Sequence, residues 1–226
     1  AWLTEAASRL GDLGHGSRVM LEDTARPARD VDEVLGYYSW GSNDPSNRLR
    51  EPGMKFVPGA LAATFVSSDA RTFRAPPADW VPTGNMQDRT VWFAGSPQTL
   101  SGDFIRAGVT GVAGYVAEPY MQGMVRPEIL FPAYLDGFNL IESFYLAVPH
   151  LSWQTVIVGD PLCRPFPRKP PGQSELDPPV NPETGMPEFF GTRRLGVLAG
   201  ELGAREAPST VRRRVTERPV TAEGSC

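Results

Sequence analysis

Cysteine is nearly absent from this chain of 226 residues, which has only Cys163 and Cys226. Two cysteines cannot form a disulfide framework, and their separation does not match a zinc site built on close cysteine pairs. Histidine is equally scarce: His15 and His150 are the two imidazoles available to any chemistry that needs such a base. No apolar run reaches the roughly 18 residues that a spanning helix requires, so no membrane span is predicted. The first residues lack the basic-then-apolar order of a signal peptide, yet Ala1 already stands inside a predicted helix. A leader and preceding structure are therefore expected upstream. Positive charge is neither abundant nor clustered in the body of the chain, whose formal net charge is −4. Nucleic acid is thereby set aside as a partner, because phosphate binding rests on a concentrated basic surface.

Apolar residues are well supplied, at 41% of the chain, enough for one sizeable core in residues 1–167. Trp2, Leu3, Ala6, Leu10 and Leu13 share a helical face that Gly14-His15-Gly16 ends. Strands are predicted at Arg18 to Leu21, Glu33 to Trp40, Ala60 to Val66, Val109 to Val116 and Gln154 to Val158, with a short apolar run at Thr90 to Ala94. Ser96-Pro97 reads as an N-cap with proline at the first helical position, opening a helix that stops at Gly108. Two further helices are predicted at Pro127 to Leu135 and Phe138 to Val148. Helix alternating with strand predicts an α/β domain with a mainly parallel sheet and helices on both faces. Eight prolines between Pro165 and Pro187 mark a linker or strap over 168–194, and 195–226, with its triple arginine, reads as a mostly disordered tail.

Three of the predicted strands end in bursts of small, polar and acidic residues: Gly41-Ser42-Asn43-Asp44, Ser67-Ser68-Asp69 and Glu118-Pro119-Tyr120. In an open parallel sheet the ligand crevice lies beyond the carboxyl ends of the strands, so these bursts are expected to converge. Ser68 stands where α/β folds often expose a nucleophile, but a serine needs a base to take its proton. His15 and His150 are both expected at the opposite end of the sheet. The bland reading is that Ser67 and Ser68 hydrogen-bond the turn backbone. Glu22, Asp23, Asp44, Asp69, Glu118 and Asp160 can all approach the same edge, where they would hold a Mg²⁺- or Ca²⁺-like cation, do acid–base work, or cap turns. No dedicated metal or cofactor is assigned. Most strand aromatics should be core, whereas Trp40 and Tyr120 fall at strand ends and can wall a pocket.

Four blocks in order carry a resemblance: Gly36 to Asp44, Gly59 to Phe73, Gly108 to Tyr120, and Trp153 to Phe166 with Val158-Gly159-Asp160-Pro161-Leu162. Over residues 15 to 167 they resemble an uncharacterised bacterial family that is itself similar to the gingipain-type, caspase-like cysteine peptidases. The resemblance implies a three-layer caspase-like sandwich followed by the proline-rich extension. In gingipain-like peptidases a His-Gly pair after one strand and an Ala-Cys after the next supply the catalytic dyad. Here those positions fall at Trp40-Gly41 and Ser67-Ser68, leaving tryptophan for the base and Ser68 for the nucleophile. Indole cannot act as a base. The resemblance also implies action outside the cytoplasm, in a secreted or periplasmic setting.

Three readings follow. The first is a relative without peptidase activity that binds a ligand or protein through Trp40, Gly41, Ser42, Asn43, Asp44, Ser67 and Tyr120. The second is a hydrolase with a rearranged site built on Ser68, Asp69 and Glu118. The third is a surface interaction protein working through its strap and tail.

Overall fold

The computed structural model describes residues 2–24, 26–50 and 52–167. The predicted strap and tail lie outside these residues. Within them the chain runs α1 (Trp2–Asp12), β1 (Val34–Ser39), β2 (Phe56–Thr64), α2 (Ser101–Arg106), β3 (Gly111–Tyr115), α3 (Tyr120–Gly123), α4 (Pro127–Leu135), α5 (Leu140–Ala147) and β4 (Thr155–Gly159). One sheet has the order β1-β2-β3-β4. The first two pairings are parallel and the last is antiparallel, so the fold is α/β with a mixed, mostly parallel sheet.

Strand periodicity sorts the side chains onto two faces. Leu61 and Ala63 of β2, Ala113 and Tyr115 of β3, and Ile157 of β4 meet α1, α4 and α5 in the larger core, around Leu130, Tyr134, Leu140 and Phe144. Ala60, Ala62, Val112 and Val158 point the other way, against Phe104 of α2 and the ring of Tyr37. Small side chains in the central strands let the helices come close. A Cβ at Gly111 would lie 2.4 Å from the Leu140 side chain.

Helix punctuation follows local chemistry. Proline opens α4. Asn139 and Glu142 close a reciprocal capping box at the start of α5, which trims the predicted Phe138 to Val148 at both ends.

Four sequence expectations need correction. Arg18 to Leu21 is not a strand: a 3₁₀ turn covers Gly16–Arg18, and Met20 and Leu21 then lie exposed and pair with no described strand. Thr90 to Ala94 holds a 3₁₀ turn at Arg89–Val91, begun by the Asp88 side chain, and a lone bridge between Phe93 and Ser96. Ser96-Pro97 does not open α2, which starts at Ser101, because Ser96, Gln98 and Thr99 are drawn into hydrogen bonds with other loops.

The fourth correction concerns β4, whose antiparallel direction sets Thr155 beside Tyr115 and Gly159 beside Gly111. Asp160 therefore leaves at the amino edge of the parallel strands, away from the polar bursts. His150, expected at the far end, precedes the end of β4 that lies at their carboxyl edge.

Candidate functional site

Parallel pairing aligns the ends of β1 and β2, with Ser39 beside Thr64, and brings the turn after β2 against the end of β3. Ala70 N donates to Tyr115 O at 3.0 Å and Phe65 N to Ser39 O at 2.8 Å. The three predicted bursts leave the same edge of the sheet, and their polar atoms bind the strand ends, the loop at 96–99 or their own turns rather than one another.

Gly41 turns the chain out of β1 with φ of 50°, and a Cβ there would lie 2.7 Å from Val66. Only glycine suits both the backbone and the space. Ser42 then pairs with Thr99 reciprocally: Ser42 N donates to Thr99 Oγ1 at 2.9 Å, and Thr99 N to Ser42 Oγ at 3.0 Å. Asn43 Nδ2 donates to Phe65 O at 2.6 Å while its Oδ1 accepts from Gln98 Nε2 at 2.9 Å. Asp44 accepts from both the amide and hydroxyl of Ser46, an Asx turn. Ser67 and Ser68 are half-buried on the turn after β2. The Ser68 hydroxyl reaches Gln98 Oε1 at 3.4 Å, a long contact to a group that is not a base. Among the described residues neither histidine is hydrogen-bonded to it.

Two charged side chains organise this region. Asp69 is fully buried (0% exposed). Its Oδ1 accepts from Tyr115 N and its Oδ2 from Thr64 Oγ1, each at 2.8 Å, so the carboxyl ties the turn to both strands. The Ser101 hydroxyl lies beside the same carboxyl. Loss of water outweighs these hydrogen bonds and pushes the acid up to about 7.

Arg71 spends all five guanidinium donors on main-chain carbonyls: Ser68, Phe93, Ser96, Gln98 and Thr99, at 2.7 to 3.2 Å. It staples the loop at 93–99 to the turn carrying Ser68, and burial lowers it to about 10. No role is predicted for Arg71, Gln98 or Thr99 from the sequence. The signal was Arg71 at the end of the polar burst; Gln98 and Thr99 were hidden in the helix predicted there.

Around this locked floor stands a looser rim. The Trp40 ring packs on Phe65 at 4.5 Å between centroids and remains 46% exposed. Tyr120 is 61% exposed and has φ of 55°, a conformation a bulky residue rarely adopts. Glu118, itself exposed, holds that turn by accepting from Tyr120 N at 3.0 Å. Behind the rim, Tyr38 OH donates to Val125 O and Val125 N donates to Tyr115 OH, pinning the segment between α3 and α4 to the strand ends. Tyr37, Tyr38 and Tyr115 are thus packing residues.

The six acidic residues suggested for a cation do not assemble. Asp69 is sealed, Glu118 and Asp44 hold separate turns, Asp160 is at the other sheet edge, Glu22 accepts from Thr24 N, and Asp23 is exposed beside it. Among the described residues no group of three or more His, Cys, Asp or Glu is placed to hold a metal ion. No described helix is long and apolar enough to cross a membrane. No family model matches this chain, and neither does any curated protein or solved structure.

Proposed function

We propose that this chain is a non-peptidase relative of the caspase-like, gingipain-type peptidases, acting outside the cytoplasm, whose crevice at the strand carboxyl ends binds a ligand or protein. The observation that carries this reading is the environment of Ser68. Among the described residues its hydroxyl meets only the Gln98 amide, at 3.4 Å, and the position that the resemblance assigns to the dyad's base is held by the indole of Trp40. An unactivated serine is a poor nucleophile at neutral pH, so peptide hydrolysis has no starting point here. Binding does have one, because Trp40 and Tyr120 expose large rings at the carboxyl edge of the sheet, where the turns after β1 and β2 are cross-linked by hydrogen bonds. Exposed aromatic rings beside preorganised turns bind at lowered entropic cost. A hydrolase centred on Asp69 is less well supported, because that carboxyl is closed to substrate and both its oxygens are engaged.

Hydrolysis of fluorogenic peptide and ester panels by the intact chain, compared with Ser68→Ala, tests the reading. Absent turnover supports it; turnover that vanishes in Ser68→Ala overturns it, as does peptide turnover that persists undiminished in Ser68→Ala. The family relationship has its own check, in a Cys163→Ser/Cys226→Ser background. Trp40→His with Ser68→Cys should alkylate with iodoacetamide at mildly acidic pH faster than Ser68→Cys alone, because a dyad histidine lowers the thiol pKa. Equal rates would sever the correspondence of Trp40 and Ser68 with the dyad.

A further inference from the structure

The crevice at the strand carboxyl ends already holds a side chain of the protein's own. Gln98, 6% exposed, reaches into the gap between the turn after β1 and the turn after β2. Its Nε2 donates to Asn43 Oδ1 at 2.9 Å, and its Oε1 accepts from Ser68 Oγ at 3.4 Å and from Ser96 Oγ at 3.3 Å. One acceptor and two hydroxyl donors, none of them charged, are the partners that suit a primary carboxamide. A carboxylate in the same place would set an acceptor against Asn43 Oδ1.

The main chain and side chain of Gln98 are fastened unequally. Arg71 holds the carbonyls of Ser96, Gln98 and Thr99 at 2.9, 2.7 and 3.2 Å, and Thr83 N donates to Pro97 O at 2.8 Å. The amide group has one bond of ordinary length, while both hydroxyl contacts exceed the usual O–H···O distance of about 2.8 Å. Asn43, at the other end of the one good bond, is an exposed residue, and Ser68 is only half-buried. Water therefore competes for the latch, and rotation about the side-chain torsions of Gln98 needs no movement of the stapled loop.

We propose that Gln98 is a gate on the crevice: closed, its amide fills a slot that ends at the Ser68 hydroxyl, and open, the slot takes the primary carboxamide of an asparagine or glutamine side chain from a peptide partner. The inference rests on the binding reading of the crevice and names the group bound there. Exchanging one carboxamide for another conserves every hydrogen bond in the slot. The internal side chain competes at high effective concentration, so a free amide loses to it, and a peptide displaces it only through additional contacts along the crevice.

Thiol access reads the gate, in a Cys163→Ser/Cys226→Ser background carrying Ser68→Cys. Gln98→Gly should speed alkylation by iodoacetamide roughly tenfold or more, the inverse of the fraction of time that the parent slot stands open. Asn43→Ala, which removes the latch, should give an intermediate rate, and Gln98→Ala repeats the first arm without added backbone freedom. In the Gln98→Gly protein, propionamide, which is the missing side chain in free form, should slow alkylation saturably, whereas propionate should not. Equal rates with and without the Gln98 side chain overturn the inference, as does an Asn43→Ala rate equal to the parent's. Protection by neither compound, or by both alike, overturns it too. These readouts involve no hydrolysis, so they can fail while the Ser68→Ala comparison still supports a non-peptidase crevice.

Discussion

Asp69 sets the chemistry of the turn it sits on, and its effect on stability has a definite sign. Burial raises the folded-state acid to about 7, against an ordinary value of 3.8. The fold therefore favours the protonated form. This contribution is fully present below about pH 4, declines as pH rises, and is lost above about pH 7, on the order of 2–4 kcal/mol in all. Asp69→Asn keeps an acceptor for Tyr115 N and removes the charge. Its urea stability should be flat between pH 4 and 8 where the parent protein loses stability, and a parallel decline in both would refute the assignment. Asp69→Ala leaves Tyr115 N and the Thr64 hydroxyl without their partner and should be destabilised at every pH. Arg71 works through number: five donors meet five carbonyls. Lysine has three donors and no planar fork, so Arg71→Lys should rescue little of the roughly 3–5 kcal/mol lost in Arg71→Ala. Faster proteolysis within 93–99 in both variants would confirm the staple; an unaltered loop would exclude it.

At the scale of elements, α5 and β3 respond differently to small changes. The Asn139–Glu142 capping box is a local device, so Asn139→Ala should cost about 1 kcal/mol. Gly114 in β3 is a tertiary constraint: a Cβ there would lie 2.2 Å from Ser101 Oγ and 2.6 Å from Asp69 Oδ1. Gly114→Ala should cost several times more than Asn139→Ala in chemical denaturation, and similar costs would mean the turn yields easily. The same contrast explains what could be read from the sequence. α4 and the strands β1 to β3 were legible because their apolar periods and terminal glycines and prolines are local signals. That the polar bursts leave one edge of the sheet followed from parallel strands alone. The direction of β4 was not legible, since Thr155 to Val158 reads the same in either sense, and this moved His150 and Asp160 to opposite edges from those expected. The helix start at Ser96-Pro97 failed for a related reason. A good local cap lost to the long-range demands of Arg71 and Ser42, which are 25 and 57 residues away along the chain from their partners Ser96 and Thr99.

Across the whole molecule the sheet divides two unequal cores, and the difference determines how each tolerates a void. The larger side is built by α1, α4 and α5, with Phe144 fully buried among Leu61, Leu130, Tyr134 and Leu140. The smaller side relies on the six-residue α2, where Phe104 covers Ala60, Ala62 and Val112 while its neighbour Ile105 is exposed. A cavity costs most where surrounding elements cannot move into it. Around Phe144 two helices and the sheet brace one another, whereas α2 is short and borders solvent, so it can settle toward the small alanines beneath it. Phe144→Ala should therefore cost about 4–5 kcal/mol and Phe104→Ala nearer 3 kcal/mol, although the same ring is removed. Urea unfolding of the two variants decides the matter. Midpoints ordered Phe144→Ala below Phe104→Ala at a shared m-value support unequal bracing of the two faces. The reverse order would show that α2, through the Asp103 carboxylate bound by Arg50 and Arg106, is the more rigid wall.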